Sequence, residues 1–327
     1  MSDQYSYTSA SPEAVKIFPV AAVQRQRYPL HALLFLLTVG TTLISGAYLM
    51  IIHESSGPVS VDPFRFFLRI LDHPGLLYKG IAYAGTIMLV LLAHEMGHFI
   101  ACQYYGIQAT LPFFIPAPVG VMTGTFGAFI RIKSAFPNRK ALFDVGLAGP
   151  IAGFIMLLPF LYLGLKWSTQ VPPGQISGET GYFGEPLIFR IFASFILKDG
   201  YDTFLHPTGF AVWFACLATS LNLLPIAQLD GGHVSYAVFG KRAHVITWIF
   251  FFGVIGLAIY GFTQSKVAGF QWLFYAGLLL ILRQIAGFKH PPTLDDSEPI
   301  GLARIIWAVI ALIVFALTFV PVTIFVK

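Results

Sequence analysis

The sequence predicts an all-α polytopic membrane protein, with about seven transmembrane helices and a short β-hairpin or re-entrant segment after the second. Three observations predict it. Of 327 residues, 56% are hydrophobic and only 11% charged, against roughly 25% charged in soluble domains, and mean hydropathy is +0.74. Apolar runs long enough to cross a bilayer recur along the chain. One further apolar stretch, 111–134, is broken by Pro112, Pro116, Pro118, Gly120, Gly124 and Gly127, a density of breakers that a plain helix does not carry. Such a composition excludes a soluble globular enzyme. A formal charge of +5 fits basic loops at one membrane face, not a nucleic-acid surface.

Residues 1–29 form a polar tail with Lys16, Arg25 and Arg27. Residues 30–327 form one membrane-embedded domain. The run 30–52 is too long for a signal-peptide core and lacks a clear cleavage site, so it reads as a retained first span. The second span is 81–104. Within the broken stretch, 121–132 has β-branched and aromatic residues between glycines, a pattern for a hairpin or re-entrant loop, which lipid tolerates only where protein or a wet cavity covers it. Spans three and four are 141–165 and 208–227; three more follow at 243–263, 268–285 and 302–326. Asp144 reads as interfacial. The polar connection 166–207 is too short for an ordinary independent domain. Cys102 and Cys216 lie in apolar runs without C-x-x-C spacing and read as buried thiols.

The second span carries His94-Glu95-Met96-Gly97-His98. Four residues apart on a helix, the two imidazoles share a face and can grip one metal ion. Glu95 lies beside that face, where a carboxylate can take a proton from water at the metal. Ionisable groups inside a span are costly and mark function; hydrogen-bonded core histidines would be the bland alternative. A catalytic zinc takes three protein ligands and keeps a fourth position open. Asp230, in Leu229-Asp230-Gly231-Gly232 at the end of the fourth span, is the best candidate for the third. Alone it would read as a turn residue. Asn222, eight residues earlier, either holds substrate backbone or the oxyanion, or makes an interhelical hydrogen bond. His233 reads as a loop residue, His206 as one on the opposite side and not a ligand.

Together, His94-Glu95-x-x-His98 and Asn222-x-x-Pro225-x-x-x-Leu229-Asp230-Gly231 resemble the site-2 protease family of intramembrane zinc metalloproteases. Gly149-Pro150-x-x-Gly153 and the Pro/Gly-rich stretch add to the likeness, which covers about 81–240, the catalytic core. The resemblance implies one Zn²⁺ per chain on His94, His98 and Asp230, with Glu95 as general base. It implies hydrolysis of peptide bonds in or near a membrane span, with a single-span membrane protein as substrate and the bilayer as surroundings. With no room for a PDZ domain between the motifs, the chain looks like a compact member, similar to bacterial and chloroplast forms.

Lysine and arginine give the expected orientation. With the N-terminus cytoplasmic, Arg65, Arg69, Lys79, Lys166, Arg190, Lys198, Lys266 and Lys327 fall outside and the other 12 of 20 inside, a positive-inside bias. The site then faces the cytoplasm, and the expected location is a bacterial inner membrane. Two other readings compete. A metal-binding transporter would show repeated halves with matched broken spans, which the sequence lacks. A prenyl-processing type of protease takes a Glu as third ligand, and only Glu179 and Glu185 lie between the motifs, both in the far-side connection. An inactive family member would lack a catalytic residue, and none is missing.

Overall fold

The structure, a computed structural model, describes residues 26–55, 62–172 and 181–326. Most of the polar tail 1–29, and Glu179, lie outside the described residues. Helices α1 (Tyr28–Glu54), α2 (Pro63–Asp72) and α3 (Ile81–Tyr104) lead into strands β1 (Phe113–Pro116) and β2 (Thr125–Phe129). Helix α4 (Arg139–Lys166) follows. Then come β3 (Thr169–Val171), β4 (Gly181–Phe183), α5 (Leu187–Ile196), β5 (Asp202–Phe204) and α6 (Pro207–Asn222). The chain closes with α7 (Asp230–Phe239), α8 (Ala243–Gln264), α9 (Lys266–Ala286), α10 (Leu302–Thr318) and β6 (Ile324–Val326).

Each of the seven expected spans contains a helix. Five segments among the described residues are long and apolar enough to cross a membrane: Tyr28–Glu54, Pro74–Tyr104, Arg139–Lys166, Asp230–Gln264 and Lys266–Gln284. The expected spans at 208–227 and 302–326 yield only α6, of 16 residues, and α10, of 17. At 1.5 Å per residue these reach about 24–26 Å, short of a hydrocarbon core of about 30 Å. Apolar residues continue through Pro225 and Pro321, so hydropathy alone extends both spans past their helices. In the fold the chain leaves the helix before each.

The centre is α3, α4 and α6. Val90, Leu157, Leu161, Val212, Trp213 and Cys216 pack into one buried cluster. Small residues set the distances, as membrane helices without a solvent-driven hydrophobic force require. Gly46 of α1 lies against Tyr83 and Gly80, and Gly164 of α4 against the backbone of Gly209. The Gly46 and Gly80 contact joins the late part of α1 to the beginning of α3. These helices are therefore antiparallel, and the start of α1 lies on the same side as the end of α3.

Helix α3 ends where Gly106 takes φ +65°, a left-handed value suited to glycine. The Ile107 N–H then returns to the Cys102 carbonyl at 2.8 Å. The chain folds back as the expected hairpin: β1 and β2 pair antiparallel, Phe113 opposite Phe129 and Phe114 opposite Ala128. Its tip reaches the other end of α3, where the Tyr83 hydroxyl donates to the Met122 and Thr123 carbonyls at 3.2 and 3.1 Å. Ser45 of α1 donates to the Val121 carbonyl at 3.2 Å. Helix and hydroxyl partners thus satisfy the tip, as backbone at membrane depth requires.

The described residues of the connection 166–207 include α5, β3, β4 and β5; β3 pairs antiparallel with β5, and β4 with β6 beyond α10. The second of these pairs Gly181 with Val326, 145 residues apart by number. Asp144 is indeed polar-paired: it accepts from the Tyr105 hydroxyl and from Arg304 at 2.8 and 2.6 Å, joining the end of α3 to α4 and α10. Cys102 and Cys216 are free and buried.

Candidate metal centre

Three elements converge on one point. His94 and His98 project from one face of α3, as their spacing requires. Asp230 is the first residue of α7. Between α6 and α7 lies a tight turn: the Ile226 N–H bonds the Leu224 carbonyl at 2.7 Å, and Ala227 takes φ +50°, a strained value for a residue with a Cβ. Thr247 of α8 holds this turn by donating to the Pro225 carbonyl at 3.2 Å. Gly231 and Gly232 lie against the carbonyls of Leu223, Leu224 and Ala227, leaving no room for a side chain. The Leu-Asp-Gly-Gly sequence thus lets α7 begin directly on the turn, which aims Asp230 at α3.

His94 Nε2 lies 3.1 Å from His98 Nε2 and 3.2 Å from Asp230 Oδ2, and His98 Nε2 lies 3.3 Å from Asp230 Oδ1. Tetrahedral ligand atoms about 2.0–2.1 Å from a zinc ion stand roughly 3.3–3.4 Å apart. The His98 Nδ1–H donates to the Val145 carbonyl of α4 at 2.7 Å, so the neutral ring presents a bare lone pair at Nε2. Asp230 Oδ2 is buried and has no hydrogen-bond partner, which normally costs free energy comparable to a lost hydrogen bond. A cation among these atoms removes both the lone-pair opposition and the orphaned oxygen. Among the described residues this is the one group of three or more His, Cys, Asp or Glu arranged to hold a metal ion. A buried site with two imidazoles and a carboxylate fits zinc.

Helix α4 makes the space. Gly149 lies against the His98 ring, and a Cβ on Gly153 would stand 3.2 Å from the His94 Cβ. In the sequence these glycines stood out as part of the family likeness; in the fold they make room for the imidazoles. Glu95 is also buried, with the Ile130 backbone N–H, just beyond β2, reaching its carboxylate.

The remaining expected site residues divide. Asn222 ends α6, half-buried, one tight turn before Asp230. His233 belongs to α7 and not to a loop: its Cβ packs on Gly146 of α4, and its Nδ1 lies 2.7 Å from His290 Nε2. His206 is at the far end, capping α6, where its Nδ1 accepts from the Thr208 N–H at 3.2 Å. Three contributors escaped the sequence reading: the Val145 carbonyl, the Ile130 N–H and His290. Backbone groups leave no residue-type signal, and His290 stands in a Pro/Asp-rich stretch far from both motifs.

Comparison with known proteins agrees with this geometry. Residues 82–259 match peptidase family M50, a range that contains His94, Glu95, His98, Asn222 and Asp230. The chain is 30% identical over 313 residues to the probable chloroplastic zinc metalloprotease EGY1 of Arabidopsis thaliana, covering 90% of this chain and 53% of that protein. It is 29% identical over 248 residues to the probable chloroplastic zinc metalloprotease EGY2 of the same plant, covering 73% of this chain and 42% of that one. To the rice EGY1 (Oryza sativa subsp. japonica) it is 27% identical, covering 90% and 50%. The chain therefore spans about half the length of these curated relatives. With the family range enclosing both motifs and the metal-ligand geometry between them, this chain belongs to peptidase family M50, the site-2 protease family.

Proposed function

We propose that this protein is an intramembrane zinc metalloendopeptidase that hydrolyses peptide bonds within or near transmembrane helices of single-span membrane proteins, as in regulated intramembrane proteolysis. The observation that carries the reading is the meeting of His94, His98 and Asp230 beside Glu95 inside apolar helices. In it, His94, His98 and Asp230 hold one zinc ion, which when bound supplies a Lewis acid that acidifies water and polarises a peptide carbonyl. Glu95 takes the proton from the attacking water and delivers it to the leaving amine nitrogen. The Ile130 N–H orients the Glu95 carboxylate. Asn222, next to the turn that positions Asp230, holds substrate backbone or the oxyanion.

A helical substrate hides its carbonyls and must unwind before attack. Its freed amides then need partners, because orphans in lipid cost several kcal/mol. Strand β2 supports a route by strand addition. Among the described residues it pairs with β1 alone, leaving its other edge open. Backbone groups alternate in direction along a strand, so the Ala128 N–H points to the same side as the Ile130 N–H that reaches Glu95. The open edge thus runs alongside the proposed base. In this proposal the membrane is a bacterial inner membrane, with the N-terminus and site toward the cytoplasm, an orientation that the Lys/Arg bias supports; the relatives above are chloroplastic.

The test is cleavage of a panel of single-span substrates by the purified chain, with and without a zinc chelator. Chelation should stop cleavage and added zinc should restore it; chelator-resistant cleavage would sink the reading. For the edge, Ala128→Pro should lose cleavage while bound metal and thermal stability persist. Wild-type cleavage of a helical substrate by that variant would remove strand addition.

A further inference from the structure

A cavity of about 370 Å³ lies between the start of α1 and the base of the hairpin. Arg27, Arg131 and Lys133 line it, with His31, Phe113 and Gln26. Arg131 and Lys133 are two residues apart on an extended segment, so both side chains leave it on one face. That segment is pinned: the Arg131 N–H donates to Thr110 Oγ1 at 2.9 Å and the Lys133 N–H to the Gln108 carbonyl at 2.8 Å. His31, buried, donates through Nδ1 to the Pro112 carbonyl at 3.1 Å, and Gln26 bonds the Ala109 carbonyl at 3.1 Å and the Leu111 N–H at 3.3 Å. The wall is therefore built from both sides and held in place.

Four cations elsewhere have carboxylate partners: Lys79 with Glu54, Lys140 with Glu298, Arg190 with Glu185, Arg304 with Asp144. Among the described residues none of Arg27, Arg131 and Lys133 has a carboxylate within ion-pair distance. Three converging cations around a cavity call for an anion with several acceptor oxygens. The apolar surroundings say which kind. Leu30 lines the cavity, and Leu30, Leu33 and Leu37 continue along one exposed side of α1 at helical spacing, 38%, 54% and 48% exposed. A polar anion at the mouth with hydrocarbon running up that stripe is an amphiphile, at the depth where a bilayer has its headgroups.

We propose that this cavity binds the phosphate of an anionic phospholipid, with its acyl chains along Leu30, Leu33 and Leu37. The test titrates the purified full chain in neutral detergent with dioctanoyl phosphatidylglycerol, dioctanoyl phosphatidylcholine and inorganic phosphate in separate arms, without any peptide substrate. It is therefore decided independently of the peptidase reading. Phosphatidylglycerol should bind saturably, one per chain. The double variant Arg131→Gln/Lys133→Gln should weaken that binding at least about tenfold. Arg131→Lys/Lys133→Arg should keep it, as should Lys241→Gln/Arg242→Gln, which removes two exposed cations elsewhere. Equal binding by the glutamine variant with unchanged thermal unfolding, or no preference over phosphatidylcholine, would overturn the site. Inorganic phosphate binding as tightly as phosphatidylglycerol would overturn the lipid as its occupant.

Discussion

Two of the molecule's histidine pairs, at opposite ends, are nearly alike as pairs of rings. His94 and His98 have centroids 4.9 Å apart at 70°; His53 and His206 have theirs 5.3 Å apart at 81°. What surrounds them differs. The first pair turns two Nε2 atoms toward each other and toward Asp230, leaving Oδ2 orphaned. In the second pair His206 spends its Nδ1 lone pair on the Thr208 N–H, and the third member is the Trp167 ring, 5.3 Å from His206. A carboxylate makes the first arrangement a cation site. An indole and a capping bond make the second a packed helix end. Paired histidines are thus not themselves a site; the third partner decides.

The sharpest way to break this comparison is to remove the third partner. Asp230→Ala should strip zinc, measured by metal analysis of the purified chain, and abolish cleavage with it. His206→Asn, which keeps a capping acceptor for α6, should leave both at wild-type levels. Full zinc and activity in Asp230→Ala would undo the ligand assignment, and metal loss in His206→Asn would undo the contrast. Next in size is Glu95→Gln, nearly isosteric but no base. It should retain zinc and the fold while cleavage falls by about 10²–10⁴-fold. Wild-type turnover in that variant would take Glu95 out of the proton transfer.

A smaller effect tests the packing behind the first pair. Gly149→Ala places a methyl against the His98 ring and should cost about 10–100-fold in zinc affinity, the range seen when metal ligands lose their orienting neighbours. Competition with a chromophoric chelator measures it; unchanged affinity would mean that α4 yields easily. The smallest effect belongs to the second pair. Burial, and then His53 beside it, holds His206 down to about 4, below its ordinary 6.5. Between these values the unfolded chain binds the proton more readily than the folded one, so this contribution to stability is complete above pH 6.5 and is lost progressively as pH falls toward 4. Thermal unfolding of wild type and His206→Asn at pH 7 and pH 4.5 should show a smaller acid-induced drop in the variant. Parallel drops would place the acid sensitivity elsewhere.

The sequence by itself determined that this is a membrane protein, that a helix carries His94, Glu95 and His98 on adjoining faces, and that the broken stretch after it is a hairpin or a re-entrant segment, of which the fold takes the hairpin. Helix α3 occupies the residues its apolar run marked, Ile81–Tyr104. These features are local: apolar length, a spacing of four and the density of proline and glycine each act within one segment. Asp230 was legible as a candidate because its glycines and its place at a span end are also local. Its meeting with the two imidazoles was decided by tertiary structure, through the turn at Ala227 and the support of Thr247. So was the tautomer of His98, set by a backbone carbonyl 47 residues away, and so was the role of Gly149 and Gly153. The lengths of α6 and α10 were likewise misread from apolar composition. Apolar residues continue past both helices, but Leu224 and Ile226 after α6 are buried against α8 and α9, and Pro321 after α10 accepts a hydrogen bond from Trp272 at 2.7 Å. Hydrophobicity tells that a residue leaves water; whether lipid or protein covers it depends on neighbours distant in the chain.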